Sequence, residues 1–208
     1  MINEIIELFK NKDDILKIQN KLPELFHIAE LESSRAGKIG MQVGSVRENI
    51  IVAFLVYKFK EGNVETYPIT EAEVDVILFN NPISIKTITG SLSGLKLIWT
   101  VDAEKAAEFK NNYKPSCDMI FVHINWNKSG GMYYFPLKLQ NKIFAKLGQK
   151  DYIKLPKPGT NPRGVEMSAN ALNELINSDE CYKININWIK NNITDFKPLQ
   201  RWIELWEN

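Results

Sequence analysis

"EVDVILFNNPISIKT", Glu73 to Thr87, reads as two short strands joined by a tight turn. Both runs are β-branched and alternate with period two, and Asn80, Asn81 and Pro82 between them are turn formers. Alternation sends Val74, Val76 and Leu78 to one face and Glu73, Asp75, Ile77 and Phe79 to the other. Asp75 thereby shares a face with large apolar groups, an expensive place for a charge that lacks a partner or a metal. On the second strand Ser84 and Lys86 share a face. A turn this short lets the strands lie side by side, so Asp75 and Lys86 are expected to converge at a sheet edge.

Upstream, residues 45–59 predict a helix with Val46, Ile50, Phe54 and Tyr57 on its apolar stripe. That helix carries Glu48, within reach of both strands. Residues 36–44 hold three glycines and predict a loop, with Met41 set between Gly40 and Gly44. Residues 3–35 read helical, and Pro23 fits the first turn of a new helix. Downstream come a strand at 95–101, a helix at 102–112 and a hairpin from 117 to 137. A helix ended by Gly148 follows. Then come a basic Pro/Gly loop at 151–164, a helix at 167–178, a strand at 182–189 and a short amphipathic helix at the tail. No repeat or linker interrupts this order. It predicts an α/β (α+β) fold with a mixed central sheet flanked by helices, N-terminal helices and a single domain over 1–208.

With 26 basic and 25 acidic side chains among 208 residues, the chain is no polycation. A nucleic-acid partner must be met by a local basic face. Cys117 and Cys181 lack metal or redox spacing and read as buried free thiols. His27 and His123, the two histidines, give no basis for a zinc site or a Ser-His-Asp triad. His123 lies in an apolar run and reads as a core or edge residue. The N-terminus does not look like a leader, and no apolar run approaches the ~20 residues of a membrane span. The expectation is a soluble, cytoplasmic, reduced protein.

Two carboxylates and a lysine suit phosphodiester hydrolysis. Carboxylate oxygens bind Mg²⁺, which activates water and offsets charge in the transition state, and a lysine can orient that water. Taken alone, an aspartate and a lysine on neighbouring strands read as surface residues; the upstream stretch with Glu48 is what distinguishes them. Two decoys fail. Asp102 with Glu108-Phe109-Lys110 falls in a helix, where residues two apart point to different sides. Asp195-Phe196-Lys197 has no strand-borne acid ahead of it.

Gly44, Arg47, Glu48 and Leu55, then a strand with Asp75, then a strand with Lys86, and a Gly-Met loop ahead of the helix together resemble a PD-(D/E)xK nuclease over residues 33–90. Within that superfamily the chain resembles the ThaI-type restriction endonucleases. The resemblance implies a type II enzyme that acts as a homodimer on double-stranded DNA with Mg²⁺. It implies the target CGCG cut centrally to blunt ends, and a DNA methyltransferase acting on the same site. It carries over Glu48, Asp75 and Lys86 as the active site and the backbone carbonyl of Ile85 as a metal ligand. Ser84 departs from the pattern, standing where an acid usually precedes the lysine by two, and no proline precedes Asp75. One Mg²⁺ is therefore expected rather than two.

For DNA reading, Met41 is either a wedge pushed between base steps from the minor groove or a core filler beneath its loop. Pyrimidine–purine steps such as CG yield to a wedge. Gln42 is a candidate for minor-groove contact. Arg163, on the stiff basic loop, is the candidate for guanine in the major groove. Lys38, Lys154 and Lys157 are candidates for phosphate, which positions without specifying. Two other readings stay open: a repair or recombination nuclease that recognises DNA structure, and a non-catalytic DNA-binding module, for which Ser84 speaks.

Overall fold

The computed structural model describes residues 2–35, 41–66, 73–98, 103–154, 164–190 and 197. Two N-terminal helices, α1 (Ile2–Leu8) and α2 (Lys12–Arg35), lead to α3 (Met41–Phe59). Pro23 lies inside α2 rather than opening a new helix. A proline there forfeits one backbone hydrogen bond. Leu22 and Phe26 are both buried against the core, and such packing carries the helix through the defect.

Two corrections concern α3. Met41 to Gly44 are its first residues, not part of a glycine loop. The buried ridge is Val43, Arg47, Ile51 and Leu55, whereas Val46 and Tyr57 are 36% and 59% exposed. Residues 50 to 57 are apolar or aromatic without interruption. Periodicity therefore selects no face, and packing against α2 and the sheet decides.

The six-stranded sheet runs β1 (Val64–Thr66), β2 (Val76–Leu78), β3 (Asn81–Thr89), β5 (Asp118–Ile124), β6 (Ser129–Phe135), β9 (Tyr182–Asn187). Only β3 and β5 pair in parallel; the other neighbours are antiparallel. A second, antiparallel sheet holds β4 (Gly94–Ile98), β8 (Val165–Ser168) and β7 (Ile153–Lys154). Met167 and Ser168, expected in a helix, belong to β8, and Ser168 caps α7 (Ala169–Ile176) by accepting the Ala171 N–H at 3.1 Å. Helices α4 (Ala103–Asn112), α5 (Leu137–Leu147) and α6 (Gln149–Tyr152), with a 3-10 turn at Glu61–Asn63, complete the described elements. Gly148 ends α5 with φ 73°, as a glycine there should. The expected tail helix lies outside the described residues.

Strand alternation divides the core in two. Ile120, Val122 and Ile124 of β5, with Met132 and Tyr134 of β6, pack toward α1, α2 and α3. Met119 and Phe121, with Tyr133 and Phe135, pack toward α5, α7 and the small sheet. The layers are helices, mixed sheet, then helices with a second sheet.

The β2–β3 turn falls one residue earlier than expected. Phe79 and Asn80 take φ of 50° and 63°, and Leu78 pairs with Asn81. Positive φ at both central residues marks a type I′ turn, whose twist matches the strands it joins. Pro82 opposes Ile77 at a non-hydrogen-bonded position of this ladder, and β3 meets β5 only from Ile83 onward. Its missing N–H therefore costs no ladder bond. β2 itself is short, and Glu73 to Asp75 precede it as irregular backbone.

Candidate active site

Asp75 sits where β2 begins. Its N–H donates to the Ile83 carbonyl at 3.0 Å, which fixes the backbone. Past Ile83, β3 has no further strand partner on this side among the described residues. The Asp75 carboxylate takes that place: Oδ2 accepts the Ile85 N–H at 2.6 Å, Lys86 Nζ at 3.0 Å and Ser84 Oγ at 3.3 Å. Ser84 is 2% exposed, so the residue at the acid's usual position supports Asp75 with a hydroxyl. Lys86 is largely buried, its side chain 13% exposed.

Glu48 reaches the pair from α3. Burial is the main force on its carboxyl; Lys86 attracts it and Asp75 repels it, and the net effect pushes it up to about 7. A buried carboxyl facing a second carboxylate is poorly placed alone and well placed beside a cation. Among the described residues no three His, Cys, Asp or Glu side chains gather as a metal cluster. The donors present are two carboxylates and the Ile85 carbonyl. That set suits a hard cation that keeps several waters.

The aim of Glu48 depends on its neighbour. Arg47 points inward, its side chain 9% exposed, and pairs with Glu30 of α2. Its Nη1 donates to Thr89 Oγ1 at the end of β3, 2.9 Å away. Glu30 also accepts Trp126 Nε1 at 2.7 Å and meets Lys190 Nζ at 3.0 Å. Burial would raise the Glu30 carboxyl. Hydrogen bonds from Trp126 and Lys190, with the charge of Arg47, outweigh that and hold it below the ordinary carboxylate range. Successive helical residues are about 100° apart, so locking Arg47 into the core sets the direction of Glu48. Arg47→Ala is expected to destabilise the fold by roughly 3 kcal/mol, the low end for a broken buried pair because Trp126 and Lys190 still hold Glu30. A shift of the urea midpoint checks this; an unchanged midpoint removes the anchor.

The structure thus brings Glu48, Asp75, Ile85 and Lys86 together. Lys154 is exposed at the end of β7. Met41 and Gln42 open α3, and their side chains lie outside what the structure describes; Lys38, Lys157 and Arg163 lie outside the described residues. His123 is a buried residue of the interior strand β5, and its Nε2 lies 2.7 Å from the Gly90 carbonyl oxygen. Cys117 is a buried free thiol and Cys181 a half-buried one. The decoy Glu108 and Lys110 are helical, as expected. No described helix is long and apolar enough to cross a membrane. Sequence reasoning missed Glu30 and Trp126, which no local pattern connects to Glu48. It also passed over Glu73, whose carboxylate accepts a hydrogen bond from Ser116 Oγ. The signal was present: Glu73 stands two residues ahead of Asp75 on the same predicted face.

The family model "Restriction endonuclease ThaI" matches residues 8–208. A solved structure described as "Restriction endonuclease in complex with substrate DNA" is similar at 54% identity, covers 98% of this chain and 99% of its own, and superposes with a TM-score of 0.89. No curated protein matches the chain.

Proposed function

Since the chain belongs to the ThaI restriction endonuclease family, and so to the site-specific DNA nucleases, we propose that it is a homodimeric, Mg²⁺-dependent type II enzyme cutting CG/CG to blunt ends. The observation that carries the chemistry is the Lys86–Asp75 contact at 3.0 Å with the Glu48 carboxyl facing it. Glu48, Asp75 and the Ile85 carbonyl would hold the metal, which supplies an activated water and offsets charge on the phosphate undergoing attack. Lys86 orients the attacking water and faces the scissile phosphate. Ser84 and the Ile85 N–H keep the Asp75 carboxylate aimed. Arg47, anchored in the core, keeps Glu48 turned toward the same point.

Recognition rests on the two ends of the site. Met41 opens the helix that carries Glu48, seven residues further on, so a methionine entering the minor groove and the carboxylate would move as one rigid element. A two-fold dimer presents two such helices to a two-fold target. Arg163 reads guanine, Gln42 the minor groove, and Lys38, Lys154 and Lys157 phosphates. Met41→Ala should weaken binding to a CGCG duplex by roughly tenfold or more, about one unstacked step's worth, and leave random-sequence binding nearly unchanged. Competition gel shifts measure this; equal losses on both duplexes return Met41 to a packing role. A methyltransferase of the same specificity is the functional partner.

The direct test is incubation with a plasmid of known sequence in Mg²⁺, against an EDTA control, with sequencing of the ends. Discrete blunt ends within CGCG support the whole reading. Ends at another palindrome leave the enzyme class and remove the target. Binding without metal-dependent cutting defeats the catalytic assignment.

A further inference from the structure

We propose that Glu73 is a positioning residue for Lys86, holding its ammonium group in place when Asp75 turns to a metal ion. This rests on the reading of Glu48, Asp75 and Lys86 as the active site. One oxygen of Asp75 accepts all three of its described hydrogen bonds, from the Ile85 backbone, Ser84 and Lys86. A cation binding that oxygen competes above all with Lys86, the one donor that is itself positive and on a flexible stem. Lys86 is mostly buried, and a buried ammonium deprived of its carboxylate is costly.

Glu73 supplies the replacement. It lies two residues ahead of Asp75, is half-buried, and attracts Lys86 electrostatically. Its carboxylate is held from behind by hydroxyl donors, Ser116 Oγ and Tyr113. Tyr113 is 6% exposed and stacks on Tyr152, which is wholly buried, so this support is rigid. The support comes from the segment leading into β5, the strand parallel to the one that bears Lys86. With Ser84 at the position two before the lysine, the lysine-holding charge enters from the start of the neighbouring strand instead of from β3.

Glu73 borders a cavity of about 410 Å³, so Glu73→Gln fits without crowding. The test uses the full-length protein and its Glu73→Gln, Glu73→Asp and Ser116→Ala variants. Three quantities are read: single-turnover cleavage of a CGCG duplex in Mg²⁺, the Kd for that duplex in Ca²⁺, and acetic anhydride labelling of Lys86 in Ca²⁺ by peptide mass spectrometry. Glu73→Gln should slow cleavage roughly 10- to 100-fold, the usual cost of losing a supporting partner, and leave Kd within about twofold. It should also raise Lys86 labelling, because the ammonium loses its counter-charge. Glu73→Asp should restore part of the rate. Ser116→Ala should give a smaller loss that adds nothing to Glu73→Gln. Unchanged rate and labelling in Glu73→Gln overturn the proposal, as does a rate loss matched by weaker binding and not rescued by aspartate. If wild type itself does not cleave, the underlying active-site reading fails, while labelling still decides whether Glu73 holds Lys86.

Discussion

Lys86→Ala abolishes cleavage and leaves duplex binding within about tenfold. The rate loss is expected to be on the order of 10²–10⁴, the contribution of a positioned group at the reacting water. Two physical changes add up. The water loses its orienting donor, while Asp75 loses its ion-pair partner and Glu48 the attraction of a nearby cation. Without it the Glu48 carboxyl rises further, so a metal must then displace a proton more often. Binding survives because affinity for a duplex is spread over many phosphate contacts, and one lysine accounts for a small part of the salt-dependent total. Single-turnover assays in Mg²⁺ and gel shifts in Ca²⁺ separate the two. Full activity in the variant would remove Lys86 from the site, and with it the reading of the β2–β3 hairpin as catalytic.

Glu48→Gln is expected to lose cleavage as thoroughly and to gain stability. The carboxyl is raised from 4.5 to about 7 by burial and by the charge of Asp75. The folded protein therefore holds that proton more tightly than the unfolded chain. In metal-free solution the contribution of Glu48 to stability is undiminished at low pH and falls as pH climbs from about 4.5 through about 7. The penalty left at pH 8 is on the order of 2–3 kcal/mol. Glutamine keeps the shape and removes the charge. In EDTA at pH 8 the variant should melt several degrees above wild type, and at pH 4.5 the two should coincide. Wild-type affinity for a divalent cation should fall as pH drops below about 7, and the variant should show no such fall. Equal melting temperatures at both pH values would mean that Glu48 is not held against its charge. That stability is given up where chemistry needs a charge is a common trade-off.

The hairpin that bears Asp75 and Lys86 was more legible in the sequence than the packing around it. Asp75, Ser84 and Lys86 were legible because strand alternation is local and the turn too short to permit other pairings. The turn itself slipped by one residue because Phe79, a bulky side chain, accepts positive φ there, which composition argues against. The face of α3 was misread because its apolar residues run around the helix and only docking selects among them. Arg47, beside Glu48, read as a partner for phosphate or an acid, but which acid was not legible. Its burial depends on Glu30, Trp126, Lys190 and Thr89, drawn from four other segments, and no spacing rule links them. Pro23 was given its usual place at a helix start, and tertiary contacts overrode that preference. Glu73 was seen on the correct face, but its partners Ser116 and Tyr113 are some forty residues away in sequence.

The site also has an order of assembly in time. Asp75, Ser84, Ile85 and Lys86 meet through a single hairpin, an event on the scale of microseconds. The parallel pairing of β3 with β5, Ile83 opposite Asp118, must wait for the whole of β4 and α4 to be threaded across, and such non-local closure is slow. Glu48 joins them only when α3 seats against α2 and the end of β3. A chain whose α3 has not docked therefore owns a lysine paired to an aspartate and lacks the second carboxylate. On the proposed reading of the site, the capacity to break DNA then depends on that docking, and a copy with α3 displaced is expected not to cut.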